Sequence, residues 1–186
     1  MNKIIAASCT ALFAASFATS ALAAEVSITP SVSDVIVGDV FTLDVVATNF
    51  DVPTGGATIG MNFDSNYLNL VSIDLADDSP FDFVDALPAE NGSVDLLTLL
   101  APFSGLEDPF GDFSTFTMTF EAVAEGNAYV SLFDDALDGW MGSDLSPISV
   151  DYFNASVNVS AVPVPAAVWM LGSGLIALFG LRRKTK

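Results

Sequence analysis

Short runs of alternating apolar and polar residues fill the chain from residue 24 to about residue 161. In VFTLDVVAT, which begins at Val40, every second side chain is apolar, and FSTFTMTFEA, which begins at Phe113, repeats the pattern. A period of two belongs to a β-strand with one buried face, whereas no helical period of useful length precedes Ala166. The pattern predicts an all-β fold, an antiparallel β-sandwich.

Six further runs are expected to form strands: EVSITP, GATIGMNF, YLNLVSIDL, SVDLLTLL, AYVSLF and YFNASVNV. Four pairs of turn-forming residues separate the runs: Gly38-Asp39, Gly55-Gly56, Asn91-Gly92 and Gly126-Asn127. No internal repeat or long linker divides residues 24–161, so we predict one domain there.

Charge is segregated along the chain. All five basic residues lie at the two ends, and all 23 acidic residues lie between Glu25 and Asp151. Affinity for DNA and RNA rests on Lys and Arg that neutralise phosphates, and anionic membranes need the same residues, so both are excluded as partners of the middle. The sequence predicts an acidic domain that binds no nucleic acid.

The chain contains no histidine, which removes the usual general base and the commonest nitrogen ligand for transition metals. Paired carboxylates serve glycosidases, but nothing in the spacing selects two of the 23. The middle also lacks any Arg or Lys to orient a substrate. We therefore predict no enzyme and no catalytic residues, with a secreted hydrolase as the second alternative.

The N-terminal segment is typical of a secretory signal peptide. Lys3 precedes an apolar stretch from Ile4 to about Ala18, and Ala21-Leu22-Ala23 is a small-x-small cleavage site. The prediction is a cleaved signal over residues 1–23 and an exported mature chain.

The C-terminal segment begins with Val162, Pro163, Val164 and Pro165, which hold the chain extended. Helix can form from Ala166 to Leu181 and would span about 24 Å, slightly short of the hydrocarbon layer of a membrane. A basic cluster of Arg182, Arg183 and Lys184 follows and would stay in the cytoplasm. The segment is predicted to be a transmembrane helix, either kept as an anchor or removed.

These parts, in this order at the extreme C-terminus, resemble the PEP-CTERM sorting signal of Gram-negative bacteria that make extracellular polysaccharide. In that family an exosortase, an integral membrane peptidase, recognises the Pro-x-Pro element, the apolar helix and the basic tail. Val164 stands where the family has the glutamate that names the motif. The resemblance implies that residues 162–186 are a sorting signal and that the chain passes through the inner membrane to the envelope or beyond.

The middle resembles the cohesin-like β-sandwich, a jelly roll related in fold to cellulose-binding modules. The resemblance rests on the Gly38-Asp39 step into a long alternating strand, on NFDSNYLNLVSI and on the closing strand that ends at Val159. It implies a cohesin-like domain over residues 24–161 that binds polysaccharide or another surface protein.

Two groups of carboxylates raise the question of a metal. Asp134 and Asp138 lie in DDALDG, but Ala136 and Leu145 occupy ligand positions of an EF-hand, which excludes that motif. A looser calcium site that uses Asp134, Asp138 and backbone carbonyls stays open. The second group is Asp74, Asp77 and Asp78, which we interpret as a solvated acidic loop.

Exposed aromatic residues would be candidates for ligand contact, because aromatic rings stack on sugar faces. Trp140 in LDGWMGSDL is the first candidate, with Tyr67 and Tyr152 behind it, although a tryptophan in such a place also plugs one end of a sandwich. Five phenylalanines in loop-like contexts are either core caps or an adhesive surface: Phe81, Phe83, Phe103, Phe110 and Phe113.

The sequence thus predicts an exported, non-catalytic envelope or extracellular-matrix protein that works in adhesion or in a biofilm matrix. The first alternative is a polysaccharide-binding or protein-binding module.

If the C-terminal segment is a sorting signal, the mature protein from the native host lacks Trp169 and the basic tail. Intact mass spectrometry of the purified protein measures this. Recovery of the chain with Lys186 from the membrane of a host that has exosortase would contradict it and favour a permanent anchor.

Overall fold

The computed structural model describes residues 23–30, 34–87, 91–101, 108–163 and 170–176. These residues include twelve strands in two sheets. One sheet has five strands in the order β11-β1-β3-β8-β5, and the other has seven, in the order β2-β12-β9-β4-β7-β6 with β10 beside β9. The strands are β1 (Ala24–Pro30), β2 (Asp34–Ile36), β3 (Val40–Phe50), β4 (Thr54–Phe63), β5 (Leu68–Leu75), β6 (Phe83–Ala86), β7 (Ser93–Leu100), β8 (Gly111–Ala122), β9 (Gly126–Gly142), β10 (Pro147–Ile148), β11 (Val150–Phe153) and β12 (Ala155–Ser160).

The two sheets pack face to face around one apolar core, as the alternating pattern predicts. In β3 and β8 the apolar members of the alternation are buried and paired across the strands, for example Val45 with Phe116 and Leu43 with Met118. Because successive side chains of a strand point to opposite faces, the polar members face solvent. The prediction of an all-β sandwich is confirmed.

An aromatic cluster closes one end of the core. Trp140 of β9 lies 5.0 Å from Phe50 and 6.3 Å from Phe81 between ring centroids, and Phe113 lies 5.2 Å from Phe50. The rings are tilted or edge-to-face, the arrangements that aromatic pairs prefer. Phe81 and Phe113 are therefore core caps, whereas Phe83 and Phe110 are exposed. Phe103 lies outside the described residues.

The prediction that all pairing is antiparallel is wrong for two pairs, because β1 pairs with β11 and β12 pairs with β2 in parallel. The run YFNASVNV, expected as one strand, is divided at Asn154 into β11 in the five-stranded sheet and β12 in the seven-stranded one. The last part of the chain thus crosses from one sheet to the other. Each half returns beside an early strand that has the same direction.

Two predicted turns are also wrong. Gly55 and Gly56 lie inside β4, and Gly126 and Asn127 begin β9, just after the bend at residues 124–125. The turns at Gly38 and at Asn91-Gly92 are confirmed. The sequence pattern also missed β2, β6 and β10, which have two to four residues and are too short for a period of two to show.

The predicted processing segments lie largely outside the described residues. Of the predicted sorting motif, Val162 and Pro163 are described and exposed, whereas Val164, Pro165 and the basic cluster are not. Residues 170–176 are helical and exposed. Within the described part of the chain, no helix is long and apolar enough to cross a membrane. The signal peptide and the sorting signal stay predictions.

A bulge in β8 holds a buried hydrogen bond between a side chain and the backbone of the neighbouring strand. Val45 pairs with Phe116 and Val46 pairs with Ser114, so Thr115 is an extra residue between them. Its fully buried hydroxyl donates to the Val45 carbonyl oxygen over 2.7 Å. This bond fixes the register of β3 against β8 at the bulge.

We expect Thr115→Val to lower the free energy of unfolding by about 1–2 kcal/mol, because a buried hydrogen bond is lost while the side chain keeps its shape. Urea unfolding of the two proteins measures the change. The control is Thr117→Val, whose hydroxyl donates to the partly exposed Asp44 carboxylate, and it should cost less. Equal losses in the two variants would contradict a special role for the bulge.

Candidate functional site

The outer faces of the two sheets differ in charge. Along the five-stranded sheet, acidic side chains face solvent from every strand: Glu25, Asp44, Asp74, Glu121 and Asp151. Across the middle strands of the other sheet, the outward side chains that the structure describes carry no charge. We call this surface the neutral face: Thr58, Gly60, Asn62, Thr98, Leu100, Asn127, Tyr129, Ser131, Phe133, Ser156 and Asn158. Asp85 of β6 and Asp34 of β2 lie at its two edges, and Asp64, which follows β4, lies beside Tyr129.

A groove of about 400 Å³ opens beside one end of the neutral face. Gly55 and Gly56 of β4 form its floor, and Leu100, Met141 and Leu145 form its apolar sides. A Cβ atom on Gly56 would lie 2.5 Å from the Leu99 carbonyl oxygen, so no other residue fits there without movement of the backbone. The groove exists because these positions of β4 have no side chains.

A tight turn places an apolar side chain at the rim of this groove. Leu145 is 76% exposed and has a φ angle of 65°, a left-handed conformation that costs a bulky residue about 1–2 kcal/mol. The Asp144 carboxylate holds the turn by accepting hydrogen bonds from the hydroxyl and the amide of Ser146. The same bonds lower the pKa of Asp144 below its ordinary value. The turn thus presents a strained leucine and a carboxylate to solvent together.

The aromatic residue that the sequence placed first is not available to a ligand. Trp140 lies within β9 rather than in a loop, and its side chain is 0% exposed. A ring without exposed surface cannot stack on a sugar, so the interpretation of Trp140 as a ligand contact is wrong. Its role is that of a plug at one end of the sandwich, the alternative that the sequence left open.

Tyr152 joins this plug to a carboxylate at the side of the sandwich. The Trp140 indole Nε1 donates to the Tyr152 hydroxyl oxygen over 3.1 Å, and that hydroxyl donates to Asp134 Oδ1 over 2.6 Å. Burial, together with the neighbouring Asp134 charge, raises the pKa of Tyr152 above its ordinary value. The chain of bonds ties β9 of one sheet to β11 of the other and serves the closure of the core.

Tyr67 is also partly buried, and its ring occupies the space beside Gly126 where a Cβ atom would lie. The rings that do face solvent on the neutral face are Tyr129 and Phe133, which sequence reasoning missed. The run AYVSLF carried the signal, since its alternation places Tyr129, Ser131 and Phe133 opposite the buried Ala128, Val130 and Leu132.

The calcium site predicted at Asp134 and Asp138 stays a prediction. Asp134 already accepts a hydrogen bond from Tyr152, and the Asp138 side chain lies outside the described residues. Asp74, Asp77 and Asp78 line an open cleft of about 460 Å³ with Asp44. In the described part of the chain, no group of three or more metal-ligating side chains is arranged to hold an ion.

No protein-family model matches this chain, and no curated protein matches it significantly. Solved structures do match it. A cohesin module from a Clostridium perfringens family 33 glycoside hydrolase has a TM-score of 0.63 at 14% sequence identity, over 75% of this chain and 98% of that one. The sixth cohesin of scaffoldin B from Acetivibrio cellulolyticus, solved in complex with a dockerin, has a TM-score of 0.62 at 15% identity, over 75% and 100%.

A third cohesin, from Clostridium acetobutylicum, has a TM-score of 0.61 at 14% identity, over 73% of this chain and 91% of that one. The domain has the cohesin fold. At these identities the likeness establishes the fold alone, and at that level it confirms the resemblance seen in the sequence. The PEP-CTERM resemblance concerns residues beyond this cohesin-like domain and stays a prediction.

We expect Tyr152→Phe to destabilise the domain by about 1–3 kcal/mol near neutral pH, because the buried Trp140 indole loses its acceptor. Since the folded state raises the pKa of Tyr152 above about 10, its unfolded value, this contribution is complete below pH 10 and falls as the pH rises further. The difference between wild type and variant should therefore shrink between about pH 7 and about pH 11.

Urea unfolding at the two pH values measures this difference. Tyr129→Phe, which alters an exposed ring on the neutral face, is the matched control and should change little at either pH. A Tyr152→Phe variant as stable as wild type would contradict the role of the hydroxyl.

Proposed function

We propose that this chain is an exported, non-catalytic binding protein whose cohesin-like domain holds a protein partner in the groove beside the neutral face. The observation that carries the proposal is the groove itself, with its glycine floor, apolar sides and strained, exposed Leu145. A leucine held in a left-handed conformation in water gains nothing in the free domain. Local strain of this kind is typical of binding sites, where contacts with a partner offset its cost.

The rim of the groove indicates the chemistry of the partner. Asp108 lines the groove, Asp144 lies in the turn beside Leu145, and Asp82 lies next to Leu100 in a neighbouring depression. No Lys, Arg or His occurs between Lys3 and Arg182 to pair with them. We infer a partner that inserts an apolar side chain into the groove and places Lys or Arg at its rim, because complementary charge favours association and orients it.

The solved cohesins support a protein as the partner class. The Acetivibrio cellulolyticus cohesin was solved with a dockerin, and a Clostridium thermocellum cohesin at a TM-score of 0.59 and 14% identity was solved in a cohesin–dockerin complex. In these complexes the same fold is bound to another protein. The fold does not determine the surface residues, so the fold alone does not identify the partner of this chain.

The predicted terminal segments indicate where in the cell this binding would occur. The signal peptide predicted over residues 1–23 would export the chain, and the sorting signal predicted over residues 162–186 would bring it to an exosortase in the inner membrane. After sorting, the domain would act at the envelope or in the extracellular matrix, as an adhesion or biofilm-matrix component. This location is consistent with an acidic domain that binds a partner and catalyses no reaction.

The test is photocrosslinking in the native host, followed by binding measurements. A photoreactive residue at position 145 should capture a discrete partner that mass spectrometry identifies. The same residue at position 71, where Val71 is exposed on β5 of the other sheet, should not.

Leu145→Asp should weaken binding of the captured partner by about thirtyfold, the loss of one anchor residue. Asp tolerates a positive φ better than Leu, so this variant should fold at least as well as wild type. Val71→Asp adds the same charge elsewhere and should bind normally. Equal capture at both positions, or full affinity of Leu145→Asp, would contradict the proposal.

A further inference from the structure

Two exposed aromatic rings lie on the neutral face, away from the groove. Tyr129 is 63% exposed and Phe133 is 37% exposed, and both point outward from β9. They are four residues apart along the strand, which places them about 13 Å apart at 3.3 Å per residue. The two rings thus present aromatic surface to solvent on the same side of one strand.

The Phe133 ring lies down on the sheet. Gly60 of β4 is its direct partner across the strands, and the outer atoms of the ring occupy the space where a Cβ atom of Gly60 would be. One side of the ring therefore covers the bare backbone of β4 while the other side faces solvent. Packing against the sheet fixes the ring in place, so that little side-chain entropy remains to be lost when a ligand binds.

Neutral hydrogen-bonding groups surround the two rings. Ser131 lies between them on β9 and pairs across the strands with Asn62, which is exposed. Beside Tyr129, Asn127 pairs with Asn158 of β12, whose amide also donates to Asp34. Hydroxyl and amide groups both donate and accept hydrogen bonds. One described carboxylate lies beside Tyr129: the Asp64 amide donates to the Tyr129 carbonyl oxygen, and Asp64 Oδ1 accepts hydrogen bonds from the backbone and side-chain amides of Asn66.

We propose that Tyr129 and Phe133, with Asn62 and Ser131, form a binding platform for a neutral polysaccharide chain. The C–H faces of sugar rings pack on aromatic faces, and their hydroxyl groups exchange hydrogen bonds with amides and hydroxyls. A distance of about 13 Å between the rings along β9 suits an extended chain of several sugar units rather than a single sugar.

The negative charge of the domain determines which class of polysaccharide it can bind. The chain carries 23 acidic groups, so a polyanionic glycan is repelled by the whole domain. A basic protein patch would gain more at the groove rim or on the five-stranded sheet, where every strand carries an acidic side chain, than on the neutral face, whose described strand residues carry no charge. A ligand that is itself uncharged loses nothing on the neutral face, and the repulsion of anions makes the site selective for it.

This platform is separate from the proposed protein site. Gly56 in the groove and Gly60 beneath Phe133 are four residues apart on β4, about 13 Å. The two proposals therefore predict loss of binding in different variants, so one proposal can fail while the other stands.

The experiment uses the purified full-length chain and a panel of polysaccharides. Insoluble cellulose, chitin, xylan and mannan and soluble β-1,3-glucan and amylose are the neutral probes, and alginate and hyaluronan are the anionic ones. Pull-down and affinity electrophoresis should show binding to at least one neutral glycan and to neither anionic glycan.

For that glycan, Tyr129→Ala and Phe133→Ala should each raise the dissociation constant about tenfold or more. Tyr129→Phe, which keeps the ring, should retain most of the affinity, and this rescue would not follow from a merely structural role. Phe153→Ala removes an equally exposed ring from the opposite sheet and should bind as wild type does. Circular dichroism and thermal melting exclude unfolding as the cause of any loss.

Failure of every neutral probe to bind overturns the proposal, as does equal loss in Phe153→Ala, which would mean nonspecific adhesion of aromatic residues. A third contradictory result is a Tyr129→Ala variant that binds glycan normally but loses the partner captured at position 145. That result would assign the platform to the protein partner and leave the groove proposal intact.

Discussion

The domain folds without any positive side chain to balance its carboxylates. Between Lys3 and Arg182 no Lys, Arg or His occurs, so no carboxylate there has a basic neighbour in sequence. Apolar burial between the sheets and backbone pairing within them must supply the stability. The core extends through the whole sandwich. The aromatic cluster around Trp140 closes one end, and buried side chains of β3 and β8 fill the middle.

The carboxylates use neutral donors in place of cations. Asp44 accepts from Thr117, Asp74 from Ser72, Asp144 from Ser146 and Asp134 from Tyr152. Each bond stabilises one carboxylate without an ion pair. Three of the donors are hydroxyls of Ser or Thr: Thr117 and Ser72 lie on the five-stranded sheet, and Ser146 lies in the turn beside Leu145. Acidic side chains lie on every strand of the five-stranded sheet and in turns, whereas the described outward side chains on the middle strands of the other sheet carry no charge.

The sequence predicted the sandwich because apolar residues at every second position mark the buried face of a strand. It was right for seven of the eight long runs, and in β3 and β8 inward positions such as Leu43 and Met118 are buried. It failed where backbone geometry rather than burial decides. Trp140 stands between Gly139 and Gly142, which read as loop residues, yet β9 continues through both with Gly139 at a φ angle of 61°. Asn154 divides the closing run between two sheets, and no alternation marks that crossing.

The candidate sites were harder to predict than the fold, because both depend on side chains that are missing. Glycines in TGGATIG indicated a turn, since glycine is the commonest residue where a chain reverses. In the structure they lie in the middle of a sheet, where glycine marks a close approach of another group to the backbone. Gly56 leaves the space that becomes the apolar groove, and Gly60 leaves the space on which the Phe133 ring rests. One strand, β4, thus accounts for both surfaces by the side chains that it lacks.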